Sequence, residues 1–462
     1  MAAEADTVAD DSLNGRYYTA AASAAAAVAS QPPPSHRQSP PVVHPLLQQL
    51  PPTPPLITSM PSTVTCSFVG EGSANAVFCV TPANAGDNGS TNGEDGAVKK
   101  GTGAPADAGP LSTHLLRIPK AGPGVDPTTC LEHHAYYSSV LRPLIGAEWL
   151  VGQHLVRGVV SSGVHAVLDE LLADLDRNRR RRPDWVGTRV AANVDVALLV
   201  EDMTSACKKS AFPSTTITIQ CKPKWLVQSP SAPAGARRCR TCALSAASAA
   251  PSGANSHTGR AKKASLHKIK PCPMVLVADP PTSPQEEAEL DAALWDYVCK
   301  HLGSAVSSSS LSPTSSPSKP SSPVPVTLLK ARPAIVRWLR ATSLFRRMAA
   351  IQAEFDPHGV LSVDLEGPES DGDASTIALD RLQTAMTLRD CTYYLRITTG
   401  DGTATTQPPS ISAKLGDLDR KDGRRKLARW QAQERTLLAG GFYLGIEEPQ
   451  QQTQCWLERQ RG

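Results

Sequence analysis

The sequence has no apolar run of the ~18 residues that crossing a membrane as a helix requires. Its best stretch, VAANVDVALLV at 190–200, is broken by Asp195, so no membrane partner is expected. It also lacks charge of one sign. With 47 basic against 43 acidic residues the net charge is only +4, which excludes the broad positive field of a nucleic-acid binder and makes any anion site local. The N-terminus, MAAEADTVADDSLNGRYY, lacks the basic n-region of a secretory signal. The 11 cysteines are odd in number and scattered, so the expectation is an intracellular chain with reduced thiols.

Proline and glycine are abundant. The 40 Pro and 32 Gly dilute an apolar content of 40%, which reads as a real core interrupted by disordered inserts. Residues 1–62, with QPPPSHRQSPP and LPPTPP, read as a disordered Ala/Pro-rich tail. Residues 63–204 read as one lobe and 205–462 as a second, with flexible inserts at 82–110, 229–265, 304–325 and 364–375. TVTCSFVGEGSANAVFCVT, THLLRIPK, ANVDVALLVED and TITIQC have strand character, whereas 127–176 and RRKLARWQAQERTLLAGG read as helical. Leu344, Phe345, Met348, Ile351 and Phe355 share one helical face.

Four constellations carry chemistry. Gly70-Glu71-Gly72-Ser73-Ala74-Asn75 lies between two strands, where small residues let backbone amides approach phosphate oxygens. Alone, such a turn is more often a plain hairpin. Arg117 stands on the next strand, the place where a kinase keeps a phosphate-binding cation. MTLRDCTYYLRI and SISAKLGDLDRK read as two strands; paired as a hairpin, they bring Asp390 and Asp417 to one end of a sheet. Phosphoryl transfer uses two such carboxylates, one to accept the hydroxyl proton and one to hold Mg²⁺. Finally, Lys222-Pro223-Lys224 ends a strand, and Lys421, Arg425 and Arg429 recur at helical spacing beside Arg424 and Lys426, which suits a polyphosphorylated ligand.

Other signals point less firmly. Cys239-x-x-Cys242 invites zinc, but His257 and His267 follow at spacings that match no standard finger, so the sequence favours plain thiols there. Arg177 to Arg182, RNRRRR, reads as a solvated loop or an import patch, placing the chain in the nucleus, the cytoplasm or both. His133-His134 is expected on a helix surface or in the core, away from any site.

GEGSANAVF, LLRIPK, RPLIGAEWL, ALLVEDMT, CKPKWLVQSPSAP, RRCRTCAL, MTLRDCTYYLRI and GDLDRK, in this order over residues 64–446, resemble the inositol-pentakisphosphate 2-kinase family in its fungal style. The resemblance implies an α+β fold of two lobes related to protein kinases. It implies a monomer that uses ATP and Mg²⁺ to phosphorylate the 2-hydroxyl of inositol 1,3,4,5,6-pentakisphosphate, giving the hexakisphosphate. Carried over, it makes Asp390 the general base and has Lys222 face the nucleotide. Gly70, Glu71, Gly72, Ser73, Asn75 and Arg117 hold nucleotide phosphates, and Glu201, Asp202 and Met203 form an adenine-reading hinge. Gln220 and Asp417 also meet the nucleotide, Asp417 through the metal, while Lys224, Lys421, Arg425 and, more weakly, Arg157 grip substrate phosphates. The family's plant members carry their zinc elsewhere in the chain.

Three positions depart from the pattern: Gln220 and Val275 replace acids, and Arg429, next to Trp430, replaces an aromatic. They leave open two rival readings, a non-catalytic inositol-phosphate-binding scaffold and a kinase of other position specificity.

Overall fold

In the computed structural model, the described residues are 57–61, 64–82, 111, 114–204, 216–250, 271–302, 306–307, 324–365, 373–399, 408–446 and 455–459. They form an α+β fold built on two sheets. The first sheet comprises β1 (Ile57–Ser59), β2 (Val64–Glu71), β3 (Asn75–Pro82), β4 (His114–Pro119), β5 (Gln153–Arg157) and β6 (Val196–Glu201). Their order is β1-β5-β6-β4-β3-β2; β1 runs parallel to β5 and the other pairs are antiparallel. Helix α1 (Thr129–Tyr136) continues through a π-helical turn, and α2 (Val164–Arg177) lays Val164, Leu168 and Leu172 against Phe78, Leu116, Ile118 and Val156.

The second sheet takes β7 (Thr216–Cys221), β8 (Val306–Ser307), β9 (Thr392–Thr398) and β10 (Ser410–Gly416) in the order β10-β9-β7-β8. In β9 the residues Tyr393, Leu395 and Ile397 turn inward while Tyr394, Arg396 and Thr398 are half-buried, the period of two expected of a sheet with one face on the core. Around it stand α3 (Arg240–Ala249), α4 (Pro284–Lys300), α5 (Val326–Ala341), α6 (Leu344–Phe355), α7 (Asp373–Leu388) and α8 (Gly423–Ala439). The apolar face expected at 344–355 is buried: Leu344, Phe345, Met348, Ile351 and Phe355 all enter the larger core, and Phe345 meets Tyr393 edge-on at 4.9 Å.

Four expectations are corrected. Ile57–Ser59, assigned to the disordered tail, forms β1, with Met60 buried behind it. The insert at 229–265 is ordered through residue 250: α3 buries Arg240, Thr241, Cys242, Ala243 and Ala246. Met386-Thr387-Leu388 ends α7 and is not strand, because the Thr387 hydroxyl donates to the Gln383 carbonyl at 2.9 Å inside the helix. Among the described residues nine cysteines are free thiols, but Cys79 is disulfide-bonded. The tail before residue 57, most of 82–110 and most of 304–325 lie outside the described residues. Among the described residues, no helix is long and apolar enough to cross a membrane.

The arginine run is used internally. Arg181 is buried, with its guanidinium on Glu71 at 2.7 and 2.8 Å, and Arg182 stacks on Trp185 at 4.4 Å. Only part of RNRRRR is therefore a solvated patch.

Candidate active site

The β9–β10 register pairs Thr392 with Gly416. Asp390 precedes the first strand and Asp417 follows the second, so the hairpin delivers both carboxylates to one end of the sheet, as the sequence predicts. β7 lies on the other side of β9 and ends at Cys221, which places Lys222 between them. Its ammonium is 3.1 Å from Asp417 Oδ2, 3.6 Å from Asp390 Oδ1 and 3.0 Å from the Asp390 carbonyl. Lys224 Nζ reaches Asp390 Oδ1 at 3.2 Å and Lys421 Nζ reaches Asp390 Oδ2 at 2.7 Å.

Strain gathers at the same place. Among the described residues three non-glycine positions have positive φ, and two of them are Lys224 (φ 56) and Asp417 (φ 55). Such backbone persists where its surroundings over-determine it. At Lys224 the surroundings are visible. Gln352, fully buried on α6, donates to the Lys224 carbonyl at 3.0 Å and accepts from Leu226 N at 2.9 Å. Between these two contacts, Trp225 is covered by the guanidiniums of Arg389 (3.5 Å) and Arg240 (4.4 Å). The Lys-Pro-Lys corner is thus held by a buried amide and two stacked cations.

Electrostatics follow from this crowding. Burial alone would raise the Asp390 carboxyl, but Lys224, Lys421 and Lys222 outweigh it and hold it far below the usual carboxylate range. Burial would lower the Lys222 ammonium, yet Asp417 and Asp390 push it up. Lys426 goes the other way, drawn down by burial and by Lys421, Arg429 and Arg425, with Asp390 opposing. The start of α8 therefore presents a group of mutually repelling cations, a place where anionic ligand oxygens are favoured.

The first sheet reaches the same spot through Arg117. Its guanidinium forms a two-pronged pair with Asp419 (2.6 and 2.5 Å) and a longer contact to Asp417 Oδ1 (3.4 Å). Asn75 Nδ2 donates to Asp419 Oδ2 at 3.2 Å, and His133 Nδ1 stands 3.4 Å from Asp419 Oδ1. Asp419, with no role assigned from sequence, is the acid that joins the two sheets. Its signal was the Asp-x-Asp spacing, which in extended chain turns both side chains the same way. His133, expected away from any site, belongs to this network.

The glycine loop is closed by Gly72 N on the Asn75 carbonyl at 2.8 Å. A methyl at Gly70 or Gly72 would meet nothing within 4 Å, so internal packing does not demand glycine at either. Bare, accessible backbone is what close approach by a phosphate requires.

The remaining predicted residues lie elsewhere or are otherwise engaged. The Glu71 carboxylate is buried between Arg181 and Lys120. Glu201 takes Lys414 Nζ at 2.5 Å and Gly152 N at 3.1 Å; Asp202 caps Thr204 N at 2.8 Å; the Met203 carbonyl accepts from Thr218 at 2.8 Å. Gln220 sits on β7 opposite Tyr394, two residues before Lys222. Arg425 is exposed in the first turn of α8, its backbone N–H capped by Asp422 at 3.0 Å. Arg157 is exposed on β5, two strands from Arg117, and makes no contact with the cluster among the described residues. Val275 packs in the apolar core, so the missing acid there leaves no gap among the charges.

The family model for inositol-pentakisphosphate 2-kinase matches residues 68–436, a span that includes the glycine loop, Arg117, the Lys-Pro-Lys corner, both hairpin acids and α8. The chain belongs to the inositol-pentakisphosphate 2-kinase family. It is therefore an ATP-dependent kinase by family, and inositol phosphate is the family's substrate class. No curated protein matches the chain.

Proposed function

We propose that the protein transfers the γ-phosphoryl group of ATP to the 2-hydroxyl of inositol 1,3,4,5,6-pentakisphosphate, making the hexakisphosphate, on a two-lobed fold related to protein kinases. The observation that carries this reading is the position of Lys222, bonded at once to the hairpin's two acids, Asp390 and Asp417. Nucleotide lies on the Asp417 side, against the Gly70–Asn75 loop and Arg117, with adenine toward Glu201–Met203 and Gln220 beside it. Inositol phosphate lies on the Asp390 side. A substrate with five phosphates carries roughly −7.5 to −10 charges. Lys224, Lys421, Lys426, Arg425 and Arg429 supply the opposing field, with Arg157 left without a role.

Asp417 suits Mg²⁺: it is a hard oxygen donor with its side chain 39% exposed, and this ion takes one or two carboxylates plus phosphates and water. When bound there, the ion would neutralise charge on the transferred phosphate. Asp390 is positioned to accept the hydroxyl proton. A carboxylate held so low by three ammoniums is a weak base, but those ammoniums are the groups that substrate phosphates recruit. As Lys224 and Lys421 turn to phosphate, the Asp390 affinity for a proton rises, so substrate arrival itself prepares the base.

The test is chromatographic product analysis with the pentakisphosphate, ATP and Mg²⁺, on wild type and Asp390→Asn. Hexakisphosphate from the wild type and a fall of about 10²–10⁴-fold in the variant are expected. A different isomer would establish another position specificity. Pentakisphosphate binding without turnover or ATP binding would establish the scaffold motivated by Gln220 and Val275.

A further inference from the structure

We propose that Arg389 is a positioning residue for the transfer: stacked on Trp225 behind the site, it fixes the base Asp390 relative to the substrate cation Lys224. This rests on the assignment of Asp390 as base and Lys224 as substrate ligand. Arg389 immediately precedes Asp390, and Trp225 immediately follows Lys224. The Arg389 guanidinium lies 3.5 Å from the centre of the Trp225 ring. On the site side, Lys224 Nζ reaches Asp390 Oδ1 at 3.2 Å. Asp390, Arg389, Trp225 and Lys224 thus close a ring, with an ion pair at the front and a cation–ring stack at the back.

Both halves of the rear stack are anchored on α6. Arg389 Nη1 donates to Asp356 Oδ2 at 2.5 Å and Nη2 to the Gln352 carbonyl at 3.5 Å. Gln352 lies on α6 and Asp356 caps its end. The Gln352 side chain meanwhile grips the chain on either side of Trp225, at the Lys224 carbonyl and at Leu226 N. Arg389 also extends the last turn of α7, its N–H donating to the Ala385 carbonyl at 3.0 Å, and the Asp390 N–H follows to the Thr387 carbonyl at 3.1 Å. From the α8 side, Arg240 stacks on Trp225 at 4.4 Å and pairs with Glu434 at 2.8 Å. The indole is where these elements meet, directly behind the two groups that must stay in register.

Stability alone does not call for a cation at this place. Arg389 is buried, and burial draws its guanidinium down to about 10, with Asp356 opposing. Its Nε has no hydrogen-bond partner among the described residues. Apolar side chains often match or better the stability of such a buried pair. They do not supply a flat charged face that directs an indole, and neither does lysine. Lys224 holds a left-handed backbone (φ 56) that its surroundings impose. Freeing Trp225 lets that turn relax and carries the Lys224 ammonium off Asp390. A displacement of about 1 Å in a reacting constellation can cost about 10²-fold in rate.

The test is steady-state kinetics per folded enzyme, with the pentakisphosphate, ATP and Mg²⁺, beside a measurement of Tm. Arg389→Lys keeps a charge opposite Asp356 and loses the flat face. Its kcat should fall about 10–100-fold while KM for ATP changes by less than about twofold. Trp225→Leu should fall by a similar factor, and Trp225→Phe, which keeps an aromatic face, by less. The double variant Arg389→Lys/Trp225→Leu should be no slower than the slower single one, because the two residues act as a unit. Arg381→Lys, which removes a guanidinium stacked on Phe355 from earlier in α7, should leave kcat unchanged. A lower Tm with kcat of the folded enzyme unchanged in Arg389→Lys would overturn the proposal, as would losses that multiply in the double variant. If Arg389→Lys does not fold, Trp225→Leu against Trp225→Phe decides by the same kcat readout. A wild type that makes no product removes the assigned reaction and this proposal with it; an active wild type with unaffected variants removes this proposal alone.

Discussion

Glu71 shows how a residue in a plausible ligand loop is claimed by the interior. Its side chain is 3% exposed, and its partners Arg181 and Lys120 are 0% and 4% exposed. Glu71→Gln leaves two buried cations short of a counter-charge and is expected to cost about 3–5 kcal/mol, measured by urea unfolding. Asp419 gives a pH signature. Burial would raise its carboxyl, but Arg117 and then His133 and Lys421 hold it below its ordinary value. A depressed carboxylate contributes stability in full above the unfolded value of about 3.9 and loses it as pH falls through the folded value. Wild type should therefore lose stability steeply below about pH 4, and Asp419→Asn, weaker at neutral pH, should show a shallower acid limb. Equal slopes would show that this pair does not couple to folding.

At the scale of elements, α8 is the part most sensitive to placement. A methyl on Gly423 would stand 2.7 Å from Gln383 Cγ and 2.8 Å from Leu379 Cδ1, so the first turn of the helix packs against α7 only because Cβ is absent. Gly423→Ala should shift the cations of α8 and raise the KM for inositol phosphate several-fold, by more than it lowers kcat. The elements also show what sequence could reveal. β7, β9, β10, α6 and α8 were legible because alternation or helical spacing is local, and the Asp390–Asp417 pairing followed from hairpin geometry alone. The first turn of α3 was not, because its burial rests on Cys455, 216 residues away from Cys239. The clamp of Gln352 on the Lys224 turn was hidden for the same reason, as was the use of Arg181 by Glu71: each is a long-range contact with no local pattern.

On the scale of the whole molecule, a line of polar contacts ties the two sheets together among the described residues. Val151 N donates to the Leu415 carbonyl at 2.8 Å, Lys414 reaches Glu201, and Arg117 reaches Asp419. A polyphosphate bound across this line should therefore stabilise the molecule as a unit. Inositol pentakisphosphate at ~100 times its Kd should add about 2.7 kcal/mol, seen as a rise in Tm. Lys421→Ala should need several-fold more ligand for the same rise. A rise that Lys421→Ala leaves unchanged would move the ligand away from Asp390.

Cys239, Cys242, Cys272 and Cys455 are buried together, with their Sγ atoms within 4.8 Å of one another, and this cluster has a consequence in time. At about 5–20 residues per second of synthesis, the 216 positions from Cys239 to Cys455 take about 10–40 s to emerge. For that interval Cys239, Cys242 and Cys272 exist without their fourth partner, and the corner that Arg240 supports is unfinished. The nascent chain is then most exposed to oxidants and thiol-capping reagents, and a pulse of either during synthesis should damage what the completed protein would withstand.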